Sequence, residues 1–151
     1  MEKIGTESSM VVSIVEHPFP GSSKMEGRRY CVFPDALEND PLVLFHATIA
    51  EDYDNILRVG FKTAADLGKA EGLQSVSYAK RSSGALSHIR GRYRTEEVII
   101  IAVEFASVVT RTGKDSNSAG MVVNTDDIHV YDGTQPKIIG FCRIPDGYAF
   151  L

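Results

Sequence analysis

Segment 97–105, with the sequence EVIIIAVEF, constrains the fold more than any other part of the chain. Five of its nine residues are Val or Ile, the β-branched types that favour strands. Polar residues do not alternate with the apolar ones, which indicates a strand buried on both faces rather than on one. The chain must therefore supply neighbouring strands on either side and apolar cover above and below.

Shorter segments with strand or helix character stand before and after this strand. Thr48 and Glu51 fit a capping box, and the apolar stripe and Gly60 that follow predict a helix of about ten residues. Ser82 and Ser83 offer a second helix start. Strand-like patterns occupy residues 11–15, 29–33, 42–46, 74–79, 121–124, 127–131 and 137–144. Seven or eight short strands with two or three short helices predict an α+β fold.

Length and composition suit one domain with one sizeable core, because 43% of the 151 residues are hydrophobic. We expect that domain over residues 25–151, after a flexible lead-in over residues 1–24. A net charge of −4 argues against a broad basic face for nucleic acid, although a local basic patch stays open. Cys31 and Cys142 are too few for a disulfide framework and too far apart for a metal motif. They leave two free thiols or one disulfide, and we expect no bound metal.

No stretch of the sequence approaches the roughly 20 apolar residues that a membrane span needs. The start of the chain also lacks the apolar core and the small-residue cleavage pattern of a signal peptide. We therefore expect a cytoplasmic protein with no membrane partner. A secreted effector delivered without such a signal stays open.

Three segments carry side chains with more chemistry than packing requires. The first is the end of the strand at 42–46, where His46 and Thr48 lie at the predicted rim of the sheet. An imidazole there can hydrogen-bond the hydroxyl or amide of a ligand, or it can bond a carbonyl of the core. In the second, strand 74–79, alternation puts Ser77 on one side and Tyr78 on the other. These side chains can serve a ribose and a flat ring, or they can belong to an ordinary half-buried strand.

The third segment has arginine at every second position, at Arg90, Arg92 and Arg94. Guanidinium groups favour phosphate because they form forked, charge-assisted hydrogen bonds. The cluster therefore suits a diphosphate or an RNA phosphate. A solvated basic turn before the buried strand is the alternative.

The order of these segments resembles the ADP-ribosyltransferase superfamily. The resemblance lies in LFHATIAEDYDNILRVGF, then SVSYAKRSSGAL, then EVIIIAVEF, and it covers about residues 42–148. The segment ALSHIRGRYRTEEVIIIAV is similar to the region of RNA 2′-phosphotransferases where an arginine precedes a strand. The pairs His46/Thr48 and Tyr78/Ala79 are also similar to those of poly(ADP-ribose) polymerase catalytic domains. The resemblance implies an ADP-ribosyltransferase-like fold, with two small, mainly antiparallel sheets.

The same resemblance implies NAD as the substrate and gives each candidate residue a role. His46 contacts the ribose next to nicotinamide, the backbone of Ala47 holds the carboxamide, and Thr48 supports that turn. Ser77 contacts the ribose or orients the site, and Tyr78 stacks near the nicotinamide. Arg90 or Arg92 faces phosphate, and the expected catalytic residues are His46, Tyr78, Arg92 and Asp127.

Two departures from the family pattern bear on the chemistry. Ala47 stands where a glycine commonly follows the histidine. No late glutamate is evident, although most transferases of the superfamily use one to stabilise the oxocarbenium-like transition state. Asp126 and Asp127 are the nearest candidates to take the place of that glutamate.

Three functions follow as expectations. The first is an NAD-dependent ADP-ribosyltransferase that releases nicotinamide and modifies a protein or nucleic-acid acceptor. The second is an RNA 2′-phosphotransferase-like enzyme using NAD, favoured by the arginine cluster and the missing glutamate. Such enzymes carry an N-terminal winged-helix half with a catalytic Arg-His pair, which residues 10–30 do not supply. The third is a non-catalytic nucleotide-binding or protein-interaction module of the same fold.

Overall fold

The computed structural model describes residues 14–63, 75–112, 121–124, 127–146 and 148. Within them lie three α-helices and eight strands, which confirms the α+β class. In chain order they are β1 (Val15–Glu16), α1 (Asp35–Glu38), β2 (Val43–Ile49), α2 (Tyr53–Val59), β3 (Val76–Ala79), α3 (Ser82–Arg92), β4 (Val98–Glu104), β5 (Thr110–Thr112), β6 (Met121–Asn124), β7 (Asp127–Val130) and β8 (Lys137–Ile144).

The strands form one sheet in the order β1-β8-β4-β2-β3-β7-β6-β5, and not the two sheets that the resemblance implies. Most neighbours are antiparallel, as expected, while β1 and β8, and β5 and β6, are parallel. The centre of the sheet is its narrowest junction: the register of β2 and β3 contains one pair, Phe45 with Ala79. That pair joins two four-stranded halves, β1-β8-β4-β2 and β3-β7-β6-β5, into one sheet.

Strand β4 is buried on both faces, as its sequence predicts. Its residues from Val98 to Val103 have 0% exposed surface. One face of the sheet packs Phe45 and Ile100 against Leu86 of α3. The opposite face packs Ile101 in a second cluster with Tyr53 of α2. Two apolar layers therefore enclose one sheet, and α2 and α3 lie on opposite sides of it.

The capping box predicted at Thr48 is wrong. Strand β2 continues to Ile49, and its antiparallel register with β4 extends to the pair Ile49 and Val98. The next amide, that of Ala50, donates to the carbonyl of Glu97 at 3.0 Å, so the sheet supplies the partner that a cap would give. A short 3-10 turn, Ala50–Asp52, then leads into α2. The predicted stop is confirmed, because α2 ends before Gly60, whose φ is 85°.

The strand predicted at 29–33 is also wrong. Arg29 and Tyr30 have φ values of 56° and 63°, in the left-handed region that ends a strand. The guanidinium of Arg28 donates to the carbonyls of Cys31 and Phe33 at 3.0 and 2.9 Å. These bonds hold the segment as a turn, which apolar composition alone cannot predict.

A flexible lead-in was expected over residues 1–24, and the part of it that the structure describes begins at residue 14 and pairs with the sheet. Val15 and Glu16 pair with Gly140 and Phe141 of β8. The amide of His17 donates to the carbonyl of Phe141 at 2.8 Å. Residues 11–13, where a strand was also expected, lie outside the described part of the chain.

Both cysteines, Cys31 and Cys142, are free and buried, so no disulfide joins them. Of the helices that the structure describes, none combines the length and the apolar character needed to cross a membrane.

A buried carboxylate ties α1 to the start of α3. Glu38 is 6% exposed, and it accepts hydrogen bonds from the amides of Phe33 and Ser82 at 3.2 and 3.1 Å. It also accepts from the hydroxyl of Ser82, which in turn accepts from the amide of Val32 at 2.9 Å. Each donor would otherwise be buried without a partner.

We predict that Glu38→Ala lowers the free energy of unfolding by about 3 kcal/mol, because it leaves three buried donors without an acceptor. Asp35→Ala, which changes an exposed carboxylate on the same helix, should cost less than about 1 kcal/mol. Urea denaturation of both variants measures the two values. Equal losses would show that the buried network does not stabilise the fold.

Candidate functional site

A cleft opens on the α3 side of the sheet where β2 and β3 separate, next to the Phe45 and Ala79 pair. Its volume is about 220 Å³. Eleven residues line it: Phe45, His46, Ala47, Ser77, Ala79, Ala85, His88, Ile89, Arg92, Tyr93 and Asp127. Five of the residues singled out in the sequence therefore meet here, namely His46, Ala47, Ser77, Arg92 and Asp127.

The imidazole of His46 is half-buried at the junction of the two strands. Its Nδ1 lies 2.9 Å from the carbonyl oxygen of Ser77. Because a carbonyl only accepts, we assign the proton to Nδ1. The ring also packs edge-on against Phe61, with centroids 5.0 Å apart, and in a tilted arrangement against Tyr78, with centroids 5.6 Å apart. His46 thus bonds a core carbonyl, which is one of the two roles that the sequence left open, and it also lines the cleft. The hydrogen bond to a ligand stays a prediction.

The surroundings of His46 hold the ring neutral. Burial is the largest influence and lowers its pKa, and the charge of His88 lowers it further. The hydrogen bond to the Ser77 carbonyl acts in the opposite direction but does not reverse the shift. A neutral imidazole with its proton on Nδ1 has a lone pair on Nε2. His46 can therefore accept a hydrogen bond from a ligand hydroxyl.

The sheet side of the cleft comes from three strands. Ala47 of β2 and Ser77 of β3 are half-buried on the α3 face, with Ser77 on the same side as Ala79, as alternation predicts. Asp127 is the partner of Ala79 in the register of β3 and β7. It is the one acidic side chain among the eleven that line the cleft. Asp126 lies outside the described residues.

Helix α3 supplies the opposite wall through His88 and Arg92, which are both exposed at its rim. They are four positions apart and so lie on one face of the helix. His88 was not singled out as a site residue. The four-residue spacing to Arg92 was the pattern that could have indicated it, because the sequence predicts a helix start at Ser82 and Ser83.

Arg90 does not face the cleft. It is 6% exposed, and its guanidinium donates to the carbonyls of Tyr93, Glu96 and Pro145 at 3.0, 2.6 and 2.8 Å. Residues two apart on a helix point in nearly opposite directions. Since α3 continues to Arg92, the three arginines do not act as one cluster: Arg90 makes a structural contact, Arg92 lines the cleft, and Arg94 is exposed and is not among the lining residues.

Tyr78 and Thr48 lie on the other face of the sheet. Tyr78 is 1% exposed and packs edge-on against Phe61 and Phe105, at 5.5 and 5.1 Å between centroids. Burial raises the pKa of its hydroxyl, which has no hydrogen-bond partner among the residues that the structure describes. Thr48 donates to the carbonyl of Ile49 at 3.2 Å. The alternation that brings Ser77 to the cleft takes Tyr78 away from it, and neither Tyr78 nor Thr48 is among the residues that line the cleft. His46 stands two residues before Thr48 on β2 and packs against Tyr78, so its side chain belongs to the same face as theirs although His46 also borders the cleft.

A second cavity of about 240 Å³ lies on that face, beside α2. Thr48 and His46 line it together with the end of the helix, including Gly60, Phe61 and Lys62. His46 therefore borders both cavities. Across the described residues, no group of three or more His, Cys, Asp or Glu side chains is arranged to hold a metal ion.

No protein-family model matches the sequence, and no curated protein matches it. The function proposed below depends on the geometry of the cleft and on the motifs quoted above.

We predict opposite results for two arginines of α3. Arg90→Ala should lower the free energy of unfolding by about 2 to 3 kcal/mol, because three carbonyls lose a charged donor. Arg92→Ala should lower it by less than about 1 kcal/mol, because this side chain is exposed. Chemical denaturation at neutral pH distinguishes them. A larger loss for Arg92→Ala would contradict this division of roles.

His46 predicts a stability that declines as the pH falls. Its pKa is lowered only in the folded chain, so the unfolded chain takes up the proton first. The contribution is complete above the ordinary histidine pKa of about 6.5 and is lost below it. His46→Asn can still donate to the Ser77 carbonyl but does not titrate. Between about pH 7.5 and 5 the wild type should lose more stability than this variant.

The comparison also separates His46 from His17, whose pKa is likewise lowered by burial and which is present in both proteins. Denaturation at a series of pH values measures the two slopes. Equal slopes for the wild type and His46→Asn would mean that His46 titrates alike in the folded and unfolded chains.

Proposed function

We propose that this chain is an NAD-dependent ADP-ribosyltransferase that releases nicotinamide and transfers ADP-ribose to a protein or nucleic-acid acceptor. One observation carries the proposal: His46, Ser77, Arg92 and Asp127 come from four different elements and line one cleft. The superfamily resemblance implies contacts to NAD for His46, Ser77 and Arg92, and Asp127 is the candidate for the place of its missing glutamate. Chance packing gives no reason for an imidazole, a hydroxyl, a guanidinium and a carboxylate to converge on one apolar-floored cleft.

The chemistry of the lining fits a dinucleotide. The neutral His46 offers Nε2 as an acceptor for a ribose hydroxyl, and the small Ala47 gives access to the backbone beside it. Arg92 and His88 offer nitrogen donors to phosphate oxygens. The volume of about 220 Å³ is below the range of about 300 to 1,000 Å³ usual for ligand pockets. We therefore expect only part of NAD inside the cleft and its phosphates along the exposed rim of α3.

The proposed reaction needs a negative charge beside the ribose. When the bond between nicotinamide and ribose breaks, its electron pair leaves with nicotinamide and the ribose becomes positively charged. In this proposal Asp127 stabilises that charge, in the role that a glutamate has in most transferases of the ADP-ribosyltransferase superfamily. The acceptor then forms a bond to the same ribose carbon and gives its proton to the carboxylate. Asp127 is one methylene shorter than glutamate, and its pairing with Ala79 brings it to the wall of the cleft.

One observation favours a second candidate, an RNA 2′-phosphotransferase-like enzyme. His88 and Arg92 stand one helical turn apart on the same wall. Two nitrogen-bearing side chains facing one acid suit a phosphate group better than a neutral sugar. This candidate does not require Asp127, because phosphotransferases of the superfamily work without the glutamate.

We predict that the wild type binds NAD and releases nicotinamide. His46→Ala should lose NAD binding, because the cleft loses its hydroxyl acceptor and part of its wall. Asp127→Asn should keep binding and lose about a hundredfold in nicotinamide release, because an amide cannot stabilise a cation equally well. Asp54→Asn, which changes an exposed acid on α2, is the matched control and should change neither. Isothermal titration and chromatography of released nicotinamide measure the two properties.

The same experiment separates the alternatives. Lack of NAD binding at millimolar concentration would contradict both enzymes. Binding without release would favour a nucleotide-binding module. Loss of the 2′-phosphate from RNA in the presence of NAD, retained in Asp127→Asn, would favour the phosphotransferase.

A further inference from the structure

Gln135, in the loop between β7 and β8, forms an unusual contact with the backbone of Phe61. The amide N–H of Phe61 donates to Oε1 of Gln135 at 2.8 Å. Nε2 of Gln135 donates to the carbonyl of Phe61 at 2.9 Å and to that of Gly133 at 3.2 Å. The side chain thus exchanges hydrogen bonds with both backbone groups of one residue, as a paired strand does. The two residues are far apart in sequence, so this contact fixes the chain after α2 to a distant loop.

The contact needs both a primary amide and a glycine. A carboxylate of the same length could accept from Phe61 but could not donate to it. Gly60 provides the space, because a Cβ at that position would lie 2.7 Å from Oε1 of Gln135. Its φ of 85° is also a conformation that glycine adopts readily. The turn after α2 is therefore shaped around the amide of Gln135.

Phe61 connects this contact to the candidate site. It is 4% exposed and lies against the edge of His46, with centroids 5.0 Å apart and an interplanar angle of 71°. It also packs against Tyr78 at 5.5 Å, and Tyr78 packs against His46 at 5.6 Å. The imidazole is thus held between two aromatic rings and the carbonyl of Ser77.

We propose that Gln135 is a positioning residue for His46, which it holds in place by fixing the backbone of Phe61 through both of its amide groups. The inference concerns the site to which the NAD-dependent function is assigned, and in its functional consequence it rests on that proposal. Gln135 itself does not line the cleft. It acts through Phe61, whose ring covers the face of the site opposite the cleft.

This role has a consequence for the charge state of His46. Phe61 contributes to the burial that lowers the pKa of His46. The titratable and charged side chains that share the two cavities with His46 are His88, Arg92, Tyr93 and Asp127 on one side and Asp52 and Lys62 on the other. A substitution at Gln135 removes none of these groups. A change in the pKa of His46 would therefore report movement of the segment that carries Phe61.

The test is an NMR titration of the histidine side chains in Gln135→Met, a variant of similar length without hydrogen-bonding groups. The signal of His46 is assigned by its loss in His46→Asn. We expect the pKa of His46 to rise by about half a pH unit or more as water reaches the ring. Nicotinamide release, if the proposed function holds, should fall by about tenfold because the imidazole is no longer fixed.

Thr134→Val is the matched control. Thr134 donates to Asp132 in the same loop at 2.6 Å but has no contact with Phe61 among the bonds described. It should leave the His46 signal unchanged. Gln135→Asn, which keeps the amide on a side chain shorter by one methylene, should reproduce the shift and serves if Gln135→Met does not fold.

The outcomes separate the two proposals. An unchanged His46 pKa in a folded Gln135 variant would overturn the positioning role, and so would an equal shift in Thr134→Val. A shift at Gln135 in a protein that does not bind NAD would support the positioning role and contradict the proposed function instead.

Discussion

The burial of β4 on both faces is the constraint on which the rest of the structure depends. A strand whose six residues from Val98 to Val103 have no exposed surface needs an apolar layer on each side. The chain provides α3 on one face and α2 on the other, and both helices follow strands of the same sheet. The strands that precede these helices, β2 and β3, pair at one residue pair, Phe45 with Ala79. The cleft lies next to that pair.

Separated strands leave backbone groups that would normally pair, and buried groups of this kind need partners. The structure provides them from side chains. His46 bonds the carbonyl of Ser77, and Gln135 bonds both the amide and the carbonyl of Phe61. The side chain of His46 thus takes the place of a ladder bond beside the cleft, and that of Gln135 does the same for the turn after α2.

The sequence predicts the regular parts of this arrangement because their physical cause is local. The apolar run of β4, the alternation of β3 and the helix before Arg92 are all set by nearest neighbours along the chain. The sequence patterns give wrong predictions where a residue far away in the sequence determines the hydrogen bonds of a segment. Thr48 does not cap a helix, because the amide of Ala50 donates to the carbonyl of Glu97 in the neighbouring strand. Arg90 does not face the cleft, because its guanidinium donates to distant carbonyls such as that of Pro145.

The candidate site divides in the same way. His46, Ser77 and Arg92 could be singled out from residue type and the order of their segments, although the structure places His46 within β2, Ser77 within β3 and only Arg92 at the end of an element. His88 could have been found from its spacing to Arg92. Gln135 could not have been found, because the sequence does not distinguish it from a solvated loop residue. Its role depends on the contact with the backbone of Phe61, which is far away in the sequence. Sequence patterns therefore identify groups that offer chemistry more readily than groups that hold them.

His46 has a structural role in the fold and a proposed chemical role in the cleft, so a substitution at this position alters both. Its Nδ1 side belongs to the fold, through Ser77, Phe61 and Tyr78, while Nε2 is the nitrogen proposed to accept from a ligand. The burial that stabilises the junction is the same burial that keeps the imidazole neutral. A more exposed histidine would be protonated more readily and would lose the lone pair that accepts a hydroxyl. Stability at the junction of β2 and β3 and the chemistry proposed for the cleft therefore have one physical origin, the exclusion of water from this ring.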